Sequence, residues 1–210
     1  MKKIIFITLI SLLVFSCSNN TNLSTPKNQN NTTQSNADKK TEYKVYLDDS
    51  YVFKGNANAK NTVIEYIDFK CHFCADSKPI IDKLLEKYPE QVKVVFKHYP
   101  FINEVSLELA YLFEKVALND KNRAIELYNY IFTNQSKIQT IDEVKNLEKQ
   151  FLNKEISNEQ FEKIKEKIKR DKAEADSFGI NGTPLFVING NNLIKGFLPE
   201  KEFFDNIMMK

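Results

Sequence analysis

The stretch DFKCHFCADS, residues 68–77, places Cys71 and Cys74 two residues apart, with His72 and Phe73 between them. Cysteines at that spacing can clamp a metal, staple a turn or pass a disulfide to another protein. A structural zinc site takes four Cys or His ligands. Apart from Cys17 near the start, the chain supplies only Cys71, Cys74, His72 and His98. There is no second cysteine pair, so no metal is expected. A purely structural disulfide across two residues closes a tiny loop and removes little entropy from the unfolded chain. A thiol-disulfide redox pair is the reading left. At a helix start, unpaired N–H groups and the positive dipole end favour a thiolate. A free cysteine titrates near pH ~8.5, and such sites fall to roughly 3.5–7.5. Cys71 is therefore expected to be the exposed nucleophile and leaving group. Cys74, a turn deeper, is expected to attack Cys71 and resolve the mixed disulfide.

The flanking elements must put the pair at such a helix start. Thr62 to Phe69, TVIEYIDF, is rich in β-branched and aromatic residues and predicts a strand. Beyond Cys74, residues Ile80, Ile81, Leu84, Leu85 and Tyr88 recur at helical spacing, and the pattern stops near Tyr88-Pro89. Val92 to His98, VKVVFKH, predicts a second strand. Strand, helix and strand over this length form a βαβ unit with parallel pairing. A mostly helical stretch is predicted from about 103 to 178. Two short strands follow in GTPLFVING and NNLIKGF, joined through Asn189-Gly190, a dipeptide suited to a tight hairpin turn. Pro199 opens a last helix through Met209, and the alternating Tyr43 to Leu47 predicts an added edge strand. In the Lys-rich run Lys163 to Lys172, the apolar positions Phe161, Ile164, Ile168, Ala175 and Phe178 leave the lysines on a solvated face. A central parallel strand is usually apolar on both faces, yet Glu65 and Asp68 interrupt the first one. An ion pair between Glu65 and Lys97 of the neighbouring strand is one account of the former.

Compartment and domain limits follow from composition. Residues 1–16 carry two lysines and then an apolar run from Ile4 to Phe15, shorter than the ~20 residues that span a bilayer, and read as a signal peptide. The run ends in LVFSCS, which resembles a bacterial lipobox with Cys17 as the lipidated first residue of the mature protein. From Ser18 to Lys40, Asn, Thr, Ser and Gln fill sixteen of twenty-three positions, too little apolar surface to offset ordering entropy. Residues 17–41 are thus expected to be a lipidated, disordered tether, and 42–210 one folded domain. Basic and acidic residues number 30 and 28, so no charge field points to nucleic acid.

GNANAKNTVIEYIDFKCHFC resembles the start of the catalytic domain of DsbA-like thiol-disulfide oxidoreductases, and GTPLFVING resembles their cis-proline loop and the following strand. Pro79 resembles the helix-kinking proline of thioredoxins. The resemblance covers about Gly55 to the C-terminus. It implies an α/β, thioredoxin-like fold with a helical subdomain inserted between the βαβ unit and the cis-Pro ββα unit. It also implies that Thr183-Pro184 is cis and that its loop takes an extended client segment by strand addition beside Cys71. Glu65, six residues before Cys71, matches the buried glutamate of the family. A carboxylate there could take the proton from Cys74, so proton transfer and the Lys97 ion pair stand as alternatives. One departure concerns the dipeptide. DsbA-type oxidases often carry Pro then His, whereas here His72 adjoins Cys71 and Phe73 follows, so a strongly oxidising character does not carry over. His72 either stabilises a thiolate when protonated or is a solvent-exposed loop residue.

The expected function is thiol-disulfide exchange with cysteines of exported client proteins, as an oxidase. An unidentified membrane redox partner is expected to reset the pair. No cofactor is implied, and a monomer is expected, held at a membrane through the Cys17 lipid. A dedicated extracytoplasmic reductase and a non-catalytic binding lipoprotein that keeps the fold are the alternatives. Client proteins, recycling partner and membrane leaflet are not readable from the chain.

Overall fold

The computed structural model describes residues 42–208. Residues 1–41, where the signal peptide, the lipidated Cys17 and the tether are expected, and Met209, the expected end of the last helix, lie outside the described residues. Five strands form one sheet in the order β1-β3-β2-β4-β5. β2 (Asn61–Ile67) and β3 (Val92–His98) run parallel, with Glu65 opposite Phe96 and Tyr66 opposite Lys97. α1 (His72–Lys87) makes the crossover between them, as a parallel pair requires. β1 (Phe53–Gly55) adds antiparallel to β3. β4 (Leu185–Ile188) pairs antiparallel with β2, and β5 (Asn192–Lys195) with β4. Asn189 and Gly190 have φ of 51° and 69° in the connecting turn, a backbone shape that their residue types tolerate.

Between β3 and β4 lie α2 (Glu104–Asn119), α3 (Lys121–Thr133), a 3-10 turn (Gln135–Lys137), α4 (Ile141–Phe151) and α5 (Asn158–Ser177). Their starts are written locally. Asn103 and Asp120 accept backbone N–H bonds as N-caps, while Thr140 with Glu143 and Ser157 with Gln160 form capping boxes. α6 (Glu200–Met208) closes the fold. The inserted helical block, 104–177, is the one expected between the βαβ and ββα units, and the architecture is thioredoxin-like.

The sheet has two unlike faces. On one, Val63, Ile67, Val94, Phe96 and Phe186 meet Ile81 and Leu84 of α1 and Phe203 of α6, and this core continues into α2, α3 and α4. On the other, Ile64, Tyr66, Val95, Leu185 and Val187 pack with Tyr51 and with Ala175 of α5.

Three expectations are corrected. Tyr43 to Leu47 is not a strand, because its polar backbone groups are taken elsewhere. Tyr43 N–H donates to Gly190 C=O, Tyr46 N–H donates to the Glu174 carboxylate, and Tyr46 C=O accepts from Lys97 Nζ. The edge next to β3 is occupied by β1 instead, whose last residue, Gly55, has φ of 91°. A Cβ there would lie 2.3 Å from Val92 O, so glycine is required for the strand to come that close. The solvated face of the Lys163–Lys172 run is not continuous either. Lys167 and Asp171 are buried, Lys167 because it pairs with Glu114 of α2 at 2.7 Å. Finally, Glu65 does not pair with Lys97. Successive strand residues point to opposite faces, so Glu65 looks toward the α1 side while Lys97 looks toward α5. There Lys97 pairs with Asp171 at 3.3 Å and with Glu174.

Candidate redox site

Asp68 prepares the site. It follows the end of β2, is 1% exposed, and accepts N–H bonds from Lys70 at 2.7 Å, Phe101 at 2.9 Å and Ile102 at 3.0 Å. Its own carbonyl accepts from Cys71 N–H at 3.0 Å. This aspartate ties the turn after β2 to the segment after β3, and it accounts for the second acid in the predicted strand. The Asp-x-Lys spacing carried the signal, since an aspartate commonly caps the N–H two residues on.

Cys71 is the N-cap of α1, in extended backbone with φ −76° and ψ 121°. Cys74 lies inside the first turn and is fully buried. Cys71 is not exposed as expected. It keeps 5% of its surface because its sulfur is turned onto the cis-proline loop, with Sγ 3.2 Å from Thr183 O. The Thr183–Pro184 bond is cis, and the Thr183 hydroxyl is buried, with the two cysteine sulfurs as its only polar neighbours among the described residues. Both cysteines are free.

The two thiols are driven apart electrostatically. A hydrogen bond from the Cys74 thiol is the largest influence on Cys71 and favours its thiolate. Burial opposes it, and the Thr183 hydroxyl and the N–H groups of Cys74 and Phe73 add to it, leaving Cys71 at about 6. Cys74 moves the other way. Burial pushes it well above an ordinary thiol, reinforced by its bond to Cys71 and by the nearby Cys71 and Glu65 charges. One sulfur is thus ionised at neutral pH and its neighbour holds its proton.

Glu65 is 0% exposed and neither carboxyl oxygen has a hydrogen-bond partner among the described residues. Burial pushes it up to about 8, against the attraction of the Lys54 cation. Lys54 itself pairs with Asp82, which also takes Lys78 at 2.6 Å. The buried Tyr128 hydroxyl, also without a partner, is raised by burial and then by the Glu65 charge. His72 is exposed, with its ring 3.9 Å from that of Phe73, which is 47% exposed. No hydrogen bond joins His72 to the Cys71 sulfur among the described residues.

The structure therefore gathers Cys71, Cys74, Glu65, Thr183 and Pro184, and turns His72 and Phe73 outward. Pro79 lies within α1, where it withholds an N–H from the helix. Sequence reasoning missed Lys70 and Gln135, which hold the outer side of the cysteine loop. Gln135 lies 64 residues beyond Cys71, and no local pattern marks it.

A family model described as Thioredoxin matches residues 48–202. Among curated proteins, the Probable disulfide bond formation protein D of Bacillus anthracis is 30% identical over 186 residues, covering 82% of this chain and 84% of that one. The Na(+)/H(+) antiporter NhaA 3 of Salinispora tropica is 26% identical over 65% of this chain, which spans only 21% of the antiporter. Among solved structures, a periplasmic thioredoxin-like protein from Salmonella enterica serovar Typhimurium superposes with a TM-score of 0.69 at 24% identity, covering 78% of this chain and 91% of that one.

Proposed function

The chain belongs to the thioredoxin family as a DsbA-like member, and on that premise we propose that it oxidises cysteine pairs of exported proteins through Cys71 and Cys74. The observation that carries this reading is the opposite displacement of the two thiols, Cys71 down to about 6 and Cys74 far up. A stabilised thiolate is a good leaving group, and stabilising the reduced form makes a pair more oxidising.

The reaction starts from the Cys71–Cys74 disulfide. A client thiolate attacks Cys71 Sγ, the Cys71–Cys74 bond breaks, and Cys74 leaves as a thiolate that needs a proton. Glu65, protonated at neutral pH with its carboxyl at about 8 and 0% exposed, supplies that proton, and takes it back from Cys74 when the disulfide re-forms. A second client thiolate then attacks the client sulfur of the mixed disulfide. Cys71 departs as a thiolate and stays one. The client has lost two electrons and the protein holds them as the Cys71 thiolate and Cys74 thiol. A membrane redox partner that takes up two electrons resets the pair.

The client segment binds as an added strand along the Thr183–Pro184 loop, where proline offers no N–H and neighbouring backbone groups do. Its affinity comes from main-chain bonds, with little sequence selectivity. The signal-like segment 1–16 and the lipobox-like Cys17 support an extracytoplasmic, lipid-anchored location, and the fold neighbour from Salmonella is a periplasmic protein.

Two assays test the direction together. The oxidised protein should form disulfides in a reduced, unfolded model protein, and Cys71→Ser should abolish this. Catalysed insulin reduction should be weak. The Cys71–Cys74 potential should lie above roughly −200 mV, toward the oxidising end of known pairs. Strong insulin reduction with a potential near ~−270 mV would identify a reductase, and inactivity in both assays a binding protein.

A further inference from the structure

The cysteine loop is gripped from the helical block by two side chains that reach across each other. Gln135, in the 3-10 turn between α3 and α4, donates through one side-chain nitrogen to Phe69 C=O at 3.0 Å and to Cys71 C=O at 2.9 Å. Both hydrogens of that amide are thereby used on the carbonyls that bracket Lys70. In return Lys70 Nζ donates to Gln135 C=O at 2.9 Å and to Ile138 C=O. Four bonds thus join a three-residue stretch of loop to a four-residue stretch of the helical block.

We propose that Gln135 is a positioning residue for the redox pair, through which the helical block holds Cys71 at the geometry that makes it a good leaving group. The proposal rests on Cys71–Cys74 being the redox pair. Its argument is geometric. The interactions that favour the Cys71 thiolate are hydrogen bonds, from the Cys74 thiol, the Thr183 hydroxyl and the N–H groups of Phe73 and Cys74, and hydrogen bonds are directional. Each weakens steeply if the Cys71 backbone turns or shifts. Asp68 fixes that backbone on its N–H side, through Cys71 N–H to Asp68 C=O. The Cys71 C=O side has one helical bond, from Ala75 N–H at 3.2 Å, and Gln135 supplies the other. The amide hydrogens also offset the partial negative charge of two carbonyl oxygens of the cysteine loop, a charge that disfavours an anion in the same loop.

Gln135→Met keeps the length of the side chain and removes both donors. The Cys71 titration, read from thiolate absorbance against pH, should move up by about one unit in this variant. The equilibrium constant with glutathione should change about tenfold toward the protein disulfide, which is about 30 mV for two electrons. Lys70→Met should move both readings the same way. The double variant should add little to either single change, because the two side chains form one unit. An unchanged Cys71 titration and equilibrium constant in both single variants, with only a lower melting temperature, would overturn the proposal and leave Gln135 a structural residue. Should Gln135→Met not fold, the same two readings on Lys70→Met decide alone. The titration needs no client, so it tests the latch even if the wild-type protein fails both turnover assays.

Discussion

Two buried ionisable side chains, Lys97 and Glu65, sit one strand position apart on opposite faces of the sheet and are treated in opposite ways. Lys97, facing α5, is surrounded by partners. It meets Asp171 and Glu174, donates to Tyr46 C=O at 2.9 Å, and lies 4.8 Å and 5.6 Å from the ring centres of Tyr51 and Tyr66. Its acids are served in turn. Asp171 accepts from the Tyr51 hydroxyl and His98 N–H, and Glu174 from the Tyr66 hydroxyl. Glu65, facing α1, has no such shell. Burying an ionised carboxylate without partners is so costly that the group takes up a proton instead. A satisfied buried cluster holds a structure together. An unsatisfied acid beside a thiol destabilises its own charged form, and what it gains is a proton available at neutral pH.

The largest way to break this contrast is Lys97→Met. It would strand Asp171 and Glu174 without their cation, a loss that costs about 3–5 kcal/mol for buried pairs. At ~2–4 °C per kcal/mol for a domain of this size, thermal melts should fall by roughly 6–20 °C. The Cys71 titration should stay where it is, since the two faces do not share groups.

Glu65→Gln should do the reverse. Resolution and release at Cys74 should slow by ~10²-fold or more, the usual weight of a positioned acid or base, read from the lifetime of mixed disulfides. Stability should rise rather than fall. Glu65 is raised from 4.5 to about 8, so the folded state binds its proton more tightly than the unfolded state does. The stabilisation from that proton is fully present below pH ~4.5 and is lost as pH rises through about 8. Glutamine does not ionise, so the advantage of Glu65→Gln over the wild type should grow from pH 5 to pH 8, by roughly 2–4 kcal/mol, and then level off. Urea melts at the two pH values measure it. A variant less stable than the wild type at pH 8 would mean that Glu65 has a structural partner after all.

The smallest change is Thr183→Val. The hydroxyl has no partner other than the sulfurs, so removing it should leave the melting temperature within about 1 °C. The Cys71 titration should move up from about 6 by less than one unit. No movement would assign the low value to Cys74 and the backbone alone.

Much of this arrangement was legible in the chain because it is local. β2, α1 and β3 follow from β-branched runs and from apolar spacing, and the hairpin from Asn189-Gly190. The cysteine pair at the head of α1 follows from where those elements meet. What was not legible depends on distant partners. Three residues of β1 are too few for a pattern, and Tyr43 to Leu47 alternates like a strand although its backbone bonds are spent on other groups. Lys167 reads as one more surface lysine until Glu114 of α2 meets it. Glu65 and Lys97 looked like a pair because their strands are neighbours. Only the register, which sets Glu65 against Phe96 and Lys97 against Tyr66, shows that they never meet. Gln135 has no periodicity to betray it.

The two outer strands of the sheet, β1 with three residues and β5 with four, carry a further consequence. Open strand edges invite other extended chains to pair with them, and short edges bearing lysines discourage it. Lys54 lies in β1 and Lys195 ends β5. On the function proposed above, long open edges would offer an extended client two further places to pair. With both edges this short, neither side of the sheet offers an extended chain a long ladder to pair with, and stacking of sheet upon sheet is discouraged.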